Sequence, residues 1–393
     1  MIAKSVMEIY LKDYLSIFHK DFSKKEFYFS LIAQMIYLII LSITILFLLN
    51  VLMIYSLKRM NGAGKNENNQ VNISIIVALK NEVDNINALI ESIKSLDYQN
   101  EMFEVIFVDD NSTDGTLDIL KSKTDTIKNF SVLESKTADV SGKRDALSFG
   151  IRNSKYPYIL ITDADCRPQA NWLKAYSKKF ELGYEMLFGI APFYQRKQLL
   201  NKIACFENLR GSFLSFSMTS LGLPYTAAAR NFGFTAKAFE LLGGYSKTKD
   251  TMSGDDDLLL REAVKKKMKI GLVTESGSFV YSEAKKTFKE YFQQKARHTQ
   301  TSFHYLLKNQ VIIGFWHLLN LTFLFSPLLM FFNPLPGILL PAKLIIDFAL
   351  VKSKQKIFGY YFSAIEIFYL QVFYELLLIV HFFNARHSEI KWK

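Results

Sequence analysis

The chain has 393 residues, half of them hydrophobic, a formal net charge of +11 and only two cysteines, Cys166 and Cys205. The basic residues are scattered and form neither a single recognition helix nor an arginine-rich arm, which argues against nucleic acid as a partner and favours anionic lipid headgroups. Two cysteines allow at most one disulfide and show no metal-ligand spacing here, in keeping with a reducing compartment.

An apolar stretch over residues 31–57 follows an amphipathic segment over residues 1–30. Its core has about 25 residues, which at roughly 1.5 Å per residue exceed the roughly 30 Å of hydrocarbon in a bilayer. A cleaved signal peptide would be shorter, nearer the start and followed by a small-residue cleavage site. Because Lys58 and Arg59 follow instead, the pattern predicts a transmembrane helix with a cytosolic flank after it.

A soluble α/β domain is predicted after a polar linker at residues 61–70. Short apolar runs predict strands at residues 73–78, 105–108, 131–133 and 158–162, with helices at residues 87–96, 117–121 and 146–151 between them. This alternation is typical of βαβ units around a parallel sheet. Such sheets bind their ligands beyond the carboxyl ends of the strands.

The last part of the chain returns to apolar patterns. Residues 199–221 and 286–308 predict long amphipathic helices that pack in a core or rest on a membrane surface. Three spans are predicted within residues 311–383, at 311–332, 335–351 and 357–383, before a basic tail at residues 384–393. The last span contains Glu366, Gln371 and Glu375, so an inward-facing role and a tilted interfacial helix both stay open.

Two pairs of aspartates end predicted strands. Asp109 and Asp110 end the second strand, and Asp163 and Asp165 end the strand at residues 158–162. Residues i and i+2 at a strand exit can turn toward one cation, and a hard divalent ion takes carboxylate oxygens from protein and further oxygens from phosphate. Asp163 and Asp165 are therefore candidate ligands of a metal ion that bridges to a diphosphate.

A third acidic group, Asp255, Asp256 and Asp257, opens a predicted helix. Displacement of a metal-held diphosphate still needs a base that deprotonates the attacking hydroxyl. Adjacent carboxylates repel one another, which raises the proton affinity of one of them. Capping of the helix N-terminus explains the same residues without catalysis, so both interpretations stay open.

Six short motifs occur in a fixed order between residues 73 and 301. They are Ala78-Leu79-Lys80-Asn81-Glu82, Val108-Asp109-Asp110-Asn111-Ser112-Thr113-Asp114-Gly115-Thr116, Ser141-Gly142-Lys143-Arg144-Asp145-Ala146-Leu147, Thr162-Asp163-Ala164-Asp165, Gly254-Asp255-Asp256-Asp257-Leu258 and Gln293-Gln294-Lys295-Ala296-Arg297-His298. Together they resemble the family 2 glycosyltransferases, most closely the membrane-embedded branch with cellulose, hyaluronan and poly-N-acetylglucosamine synthases. The resemblance implies a GT-A fold over residues 71–285 and inverting transfer from a nucleoside diphosphate sugar, foremost a UDP-sugar.

The resemblance also implies roles for individual residues. Glu82, Asp109 and Asp110 would lie against the base and ribose of the donor, and Lys143 would approach the nucleotide. Mg²⁺ or Mn²⁺ would be held at the strand-end pair, Asp163 and Asp165, against the diphosphate. The segment Gly222-Leu223-Pro224 followed by Arg230-Asn231 resembles the acceptor side of the family, which implies that Asn231 faces the acceptor sugars.

Two motifs depart from the family's pattern. Where the family has Glu-Asp, this chain has three aspartates, so the base is Asp255 when Asp257-Leu258 sets the alignment and Asp256 when the first acidic pair does; Asp255 is preferred. Where the family has Gln-x-x-Arg-Trp, this chain has Gln294, Arg297 and His298, which keeps the cationic clamp on the donor diphosphate and replaces the indole with a smaller ring.

Three functions follow as hypotheses. The first is a synthase that extends a polysaccharide at the plasma membrane, with the spans forming part of a product path. The second adds a single sugar to a polyprenyl phosphate or another lipid-linked saccharide. The third is a membrane transporter or scaffold without catalysis, for which the acidic motifs are surface turns and caps. In the first two, membrane lipids surround the spans and the catalytic domain is cytosolic.

Overall fold

A computed structural model describes residues 2–60, 70–135, 142–248 and 254–387. The polar linker predicted at residues 61–70 and the basic tail predicted at residues 384–393 fall largely outside these ranges, as does Ser141 of the third motif. The amphipathic character predicted for residues 1–30 also lies largely outside the description, which covers side chains from Phe29 onward.

Helices and strands alternate along the described ranges. The helices are α1 (Ile2–Arg59), α2 (Val83–Lys94), α3 (Thr116–Thr124), α4 (Lys143–Arg152), α5 (Trp172–Glu181), α6 (Leu199–Ser220), α7 (Ala236–Leu242), α8 (Asp255–Lys265), α9 (Phe288–Ser302), α10 (Leu307–Phe325), α11 (Leu339–Lys354) and α12 (Ala364–His387). The strands are β1 (Ile73–Leu79), β2 (Phe103–Asp109), β3 (Phe130–Glu134), β4 (Tyr158–Ile161), β5 (Cys166–Pro168), β6 (Met186–Gly189), β7 (Phe232–Thr235), β8 (Ile270–Val273) and β9 (Val280–Ser282).

The central sheet lies in a unit formed by residues 51–316 and 348–393, and its strand order is β3-β2-β1-β4-β7-β6-β8. The first four strands in this order are mutually parallel, as the alternating pattern predicts, whereas β7 is antiparallel to both β4 and β6. Every residue of β2 is buried, because helices cover both faces of a parallel sheet. The predicted α/β fold class is confirmed, with a mixed sheet.

One edge of this sheet gathers the strand ends that carry the acidic motifs. In the pairing of β1 with β2, Leu79 lies opposite Asp109, and the amide of Thr162 donates to the carbonyl of Ile76. The carboxyl ends of β1, β2 and β4 therefore meet. A small antiparallel sheet of β5 and β9 follows directly after the β4 end.

Close packing fixes β7 against β4. A Cβ at Gly233 would lie 2.3 Å from Leu160 Cδ2 and 2.9 Å from Tyr176 Cε1, so only glycine fits between the sheet and α5. On the other side of the domain α12 packs against both α6 and α9. Phe206 of α6 makes an edge contact with Tyr374 of α12, which anchors the last apolar helix to the catalytic domain.

Residues 1–50 and 317–347 form a separate compact unit. Its small core contains Leu46, Phe323 and Leu339. Lys343 is buried there, where its ammonium donates to Asp347 Oδ2 at 2.6 Å and to Asn320 Oδ1 at 2.7 Å. A buried cation requires such partners, so these contacts fix how α11 packs on α10.

Within the described ranges, three helices are long and apolar enough to cross a membrane by length and composition: Phe29–Arg59, Leu307–Phe331 and Ala364–His387. The predicted amino-terminal span and the first and last carboxyl-terminal spans coincide with these helices. The middle span predicted at residues 335–351 does not, because the chain there forms short helical turns and then α11, which has 16 residues and contains Lys343 and Asp347. A simple span needs about 20 mainly apolar residues.

Candidate active site

Two loops at the ends of β1 and β2 are tied together by side chains. The amide of Asn81 donates to Ser112 Oγ at 2.9 Å, and Asn81 Oδ1 accepts from the amide of Thr113 at 2.9 Å. Asn81 and Asn111 both have positive φ, a conformation that asparagine tolerates better than most residues. The loops therefore form one rigid wall at the edge of the sheet.

Glu82, Asp109 and Asp110 lie in this wall. Glu82 Oε2 accepts from the side chain of Asn85 at 2.7 Å, at the start of α2. Asp109 and Asp110 are each only 3% exposed, and among the described residues Asp109 Oδ1 and Asp110 Oδ2 accept no hydrogen bond, although the Lys80 ammonium lies 3.5 Å from Asp110 Oδ2. A buried carboxylate oxygen without a donor is costly, so these oxygens indicate a ligand with hydroxyl or N–H groups.

Asp163 and Asp165 follow β4 and remain partly open to solvent. One carboxylate oxygen of each and Cys166 Sγ lie within 4.8 Å of one another. Burial and the two carboxylates raise the pKa of the Cys166 thiol well above its usual value, which keeps it protonated. The donor set is therefore two carboxylate oxygens, which fits a hard divalent ion such as Mg²⁺ or Mn²⁺.

Lys143, the first residue of α4, faces the strand-end pair of aspartates. Its ammonium lies 2.5 Å from Asp163 Oδ1. Burial opposes a charged lysine, yet the carboxylates of Asp163 and Asp255 outweigh it and raise the pKa of Lys143. Burial likewise opposes the Asp163 carboxylate, but Lys143 outweighs it and lowers the pKa of Asp163. Both groups are charged at neutral pH, as a phosphate-binding cleft needs.

The three aspartates at the start of α8 have different surroundings. Asp255 is buried and accepts a hydrogen bond from Arg144 Nε. Asp257 accepts from Thr226 Oγ1 at 2.7 Å and from the Tyr305 hydroxyl at 2.8 Å, so it ties α8 to two other segments. Asp256 is half-buried, and burial together with its two acidic neighbours raises its pKa well above the usual range.

Helix α9 carries the predicted clamp. Burial lowers the pKa of Arg297, while the carboxylates of Asp163 and Asp255 act in the opposite direction, so the charge of both acidic groups acts on this guanidinium. Gln294 is half-buried on the same helix and His298 is exposed.

A half-buried carboxylate on α6, that of Glu207, holds α9 in place. Glu207 accepts from the Tyr291 hydroxyl and pairs with the Lys295 ammonium at 3.2 Å, and His381 Nε2 of α12 lies 3.3 Å from its other oxygen. Burial opposes its charge, but Lys295 and His381 outweigh it and lower the pKa of Glu207 to about 2. Glu207 therefore joins α6 to α9 and α12, and its contacts on α9 come just before Arg297 in the sequence.

Asn231 does not face the cleft, which corrects the expectation drawn from its motif. Its side chain is fully buried: Oδ1 accepts from Trp172 Nε1 and from the Tyr176 hydroxyl, both at 2.8 Å, and Nδ2 donates to the carbonyl of Ile190. All of its polar atoms are used in holding β7 to α5 and β6. The preceding residue, Arg230, is half-buried and lies near Asp163 instead.

Side chains from five separate segments therefore share one cleft. They are Lys143 and Arg144, Asp163 and Asp165, Arg230, the aspartates of α8, and Arg297. Arg144, Arg230 and Glu207 had no predicted role. Arg144 and Arg230 lie within motifs that the sequence shows, but their acidic partners are distant in the chain, and nothing in the local sequence marks Glu207.

Comparison with family profiles gives two matches. The profile described as Glycosyl transferase family 2 matches residues 74–239, and the profile described as Glycosyl transferase family group 2 matches residues 158–380. The second match alone covers more than half of the chain and includes Asp163, Asp165, α8, α9 and most of the carboxyl-terminal helices.

Individual relatives are similar over shorter stretches. The beta-monoglucosyldiacylglycerol synthase of Nostoc sp. is 30% identical over 127 residues, 32% of this chain and 24% of that protein. The poly-beta-1,6-N-acetyl-D-glucosamine synthase of Staphylococcus epidermidis is 34% identical over 105 residues, 26% of this chain and 24% of that protein. The chain thus spans about a quarter of the length of these curated relatives.

One solved structure is similar over most of the chain. The mannosyltransferase PcManGT from Pyrobaculum calidifontis, in complex with GDP-Man and Mn²⁺, aligns with a TM-score of 0.52 at 18% identity, covering 88% of this chain and 98% of that one. At this identity the likeness shows the fold, which is the predicted GT-A arrangement.

Proposed function

Because the chain belongs to the family 2 glycosyltransferases, we propose that its cleft transfers a hexosyl group, with inversion, from a nucleoside diphosphate to a hydroxyl of an acceptor at the membrane. The observation that carries the proposal is the convergence of Lys143, the strand-end pair Asp163 and Asp165, the α8 aspartates and Arg297 around one cleft. This set combines a diphosphate site with a proton acceptor.

The donor side is assigned from charge and burial. Asp109 and Asp110 present buried oxygens to the hydroxyl and N–H groups of the nucleoside, and Lys143 and Arg297 neutralise the diphosphate. Asp163 and Asp165 would hold Mg²⁺ or Mn²⁺, which, when bound, offsets the charge of the leaving diphosphate. A UDP-sugar is the proposed donor. PcManGT carries GDP-Man in its structure, so guanine nucleotides belong in the test.

We assign the base to Asp256, whereas the sequence analysis preferred Asp255. Asp255 is buried and already accepts a hydrogen bond from the Arg144 guanidinium, so its carboxylate is less accessible to an acceptor hydroxyl. Asp256 has a raised pKa and is open enough to meet a hydroxyl. It takes the hydroxyl proton as the acceptor oxygen bonds to the anomeric carbon, and the bond to the diphosphate breaks with its electron pair leaving on the phosphate oxygen.

The acceptor is proposed to be a lipid-linked or growing saccharide. Helices that can cross a membrane support an acceptor at a bilayer, and Lys58 and Arg59 in the last turn of α1 favour a cytosolic catalytic domain and a plasma-membrane, multi-pass protein. His298 offers a smaller ring than an indole for stacking on sugars. This favours addition of one or a few sugars over extended polymerisation.

The direct test uses the purified full-length protein with UDP-glucose, UDP-N-acetylglucosamine, UDP-galactose and GDP-mannose, each with Mn²⁺ or Mg²⁺. We expect release of a nucleoside diphosphate from one donor. Addition of EDTA, or the substitution Asp163→Ala, should abolish this release. Product sizing then separates single addition from a polymer. No metal-dependent release with any donor, by protein that is folded, would support the transporter or scaffold hypothesis instead.

A further inference from the structure

A second cleft lies outside the catalytic centre, between the loop after β6 and the turn that precedes α12. Its volume is about 550 Å³, and residues 195–198, Lys202, Tyr361 and Glu366 line it. Gln195 Nε2 donates to the carbonyl of Tyr361 at 3.1 Å, and the amide of Tyr361 donates to Gln195 Oε1 at 2.8 Å. This reciprocal pair joins the two loops, so the cleft has a defined floor.

Exposed lysines lie beside this cleft, in addition to two lining cations that already pair with glutamates. The ammonium groups of Lys352 and Lys356 lie 5.6 and 5.8 Å from the ring centroid of Tyr361, which is 64% exposed. Lys352, Lys356 and Lys197 are exposed and have no carboxylate within ion-pair distance in the described part of the chain. Exposed cations held around one ring make a surface complementary to an anion.

Apolar surface begins next to these cations. Tyr361 stands three residues before Ala364, where a helix able to cross a membrane begins. The first turns of that helix expose Ile365 (78%) and Phe368 (42%), and Leu199 beside the cleft is 48% exposed. Tyrosine and lysine side chains are typical of the headgroup level of a bilayer when exposed apolar residues lie next to them. We call Leu199, Ile365 and Phe368 the apolar strip, which would lie among the acyl chains.

We propose that this cleft binds the headgroup of an anionic phospholipid, with the phosphate between Lys352, Lys356 and Lys197 and the acyl chains along Ile365 and Phe368. A free phosphate would use only the cations, whereas a phospholipid also uses the apolar strip. The binding does not depend on the proposed glycosyl transfer, and it is measured without any donor.

The test is native mass spectrometry of the full-length protein in detergent micelles with added phosphatidylglycerol or phosphatidylcholine of the same acyl chains. We expect phosphatidylglycerol adducts to be favoured, and the double variant Lys352→Gln/Lys356→Gln to weaken them about 25-fold, since each of the two surface lysines contributes a factor of about five. The matched control Lys123→Gln/Lys128→Gln, which neutralises two exposed lysines on and after α3, should leave them unchanged.

Lys197→Gln, on the opposite loop, is a second variant in case the double variant does not fold, and it should weaken the same adducts. Inorganic phosphate should fail to displace the lipid. Equal adducts with the two lipids, unchanged adducts in both cleft variants, or full displacement by inorganic phosphate would each overturn the proposal.

Discussion

Two acidic clusters meet in the cleft, and the fold surrounds them differently. Asp163 and Asp165 follow a buried strand, stay partly open and face the Lys143 ammonium, so their charge is kept. Asp256 stands between two other carboxylates at the start of a helix and has a raised pKa. Carboxylates next to a cation keep their charge and can hold a metal, whereas a carboxylate next to like charges can accept a proton.

Two residues of the second cluster, Asp255 and Asp257, are assigned neither metal binding nor proton acceptance. Asp255 is matched to Arg144, and Asp257 accepts hydrogen bonds from Thr226 and Tyr305. Three adjacent aspartates therefore divide into an ion-pair partner, a proton acceptor and a structural tie. Each prediction below tests one part of this division.

The largest effect is expected at the proposed base. Asp256→Asn removes the proton acceptor while preserving size, so kcat should fall roughly 10²- to 10⁴-fold with little change in donor affinity. Steady-state kinetics and donor titration measure the two quantities. If Asp256→Asn keeps nearly normal turnover while Asp255→Asn abolishes it, the roles of these two residues are reversed.

A smaller loss is expected at the cation that faces both clusters. Arg297→Lys keeps the charge but loses the planar fork that binds two phosphate oxygens, so kcat/KM should fall roughly 10- to 100-fold. Lys289→Gln, an exposed position on the first turn of α9, is the matched control and should behave as wild type. Equal activity of Arg297→Lys and wild type would place the guanidinium outside the diphosphate site.

Stability is expected to change at the structural member of the second cluster. In Asp257→Asn the amide oxygen can still accept from Thr226 and Ala227, but the NH2 group that replaces Oδ2 cannot accept from the Tyr305 hydroxyl, so unfolding should become easier by roughly 1–3 kcal/mol. Thermal denaturation in detergent measures this. Wild-type stability with abolished turnover would show that Asp257 acts in the reaction.

The smallest effect is a displacement of the pH profile. A base works only when unprotonated, so the raised pKa of Asp256 means that kcat/KM should fall on acidification at a pH above the ordinary aspartate value of about 4. Asp255→Asn removes one neighbouring negative charge and should move this limb to lower pH. A limb that stays in place in Asp255→Asn would contradict coupling between the two carboxylates.

Much of the fold was predictable because short apolar runs alternate with helices between residues 73 and 162. The strands β6 and β7 were not predicted. Each has only four residues, and the close packing of β7 on Leu160 and Tyr176, which only Gly233 permits, is a contact between distant positions. The short α11 was overestimated as a span because its apolar residues surround the buried pair of Lys343 and Asp347.

The candidate site was predictable where chemistry depends on local spacing, as for Asp163 and Asp165 at a strand end. It was not predictable where a role depends on a distant partner. Arg144 is 111 residues from Asp255, and its contact is what distinguishes Asp255 from Asp256. Asn231 was wrongly expected to face the acceptor. Only the folded structure shows that its side-chain oxygen accepts hydrogen bonds from Trp172 and Tyr176, which are distant in the sequence.

The central claim is that one acidic cluster holds the metal and the other accepts the proton. It is tested most directly by measuring Mn²⁺ binding to the purified protein with electron paramagnetic resonance, in the presence of UDP and, in parallel, of GDP. Wild type and Asp256→Asn should bind Mn²⁺ together with the nucleotide, whereas Asp163→Asn should lose this binding. Retention of the bound ion in Asp163→Asn, or its loss in Asp256→Asn alone, would contradict the assignment of metal holding to the strand end and proton transfer to the helix start.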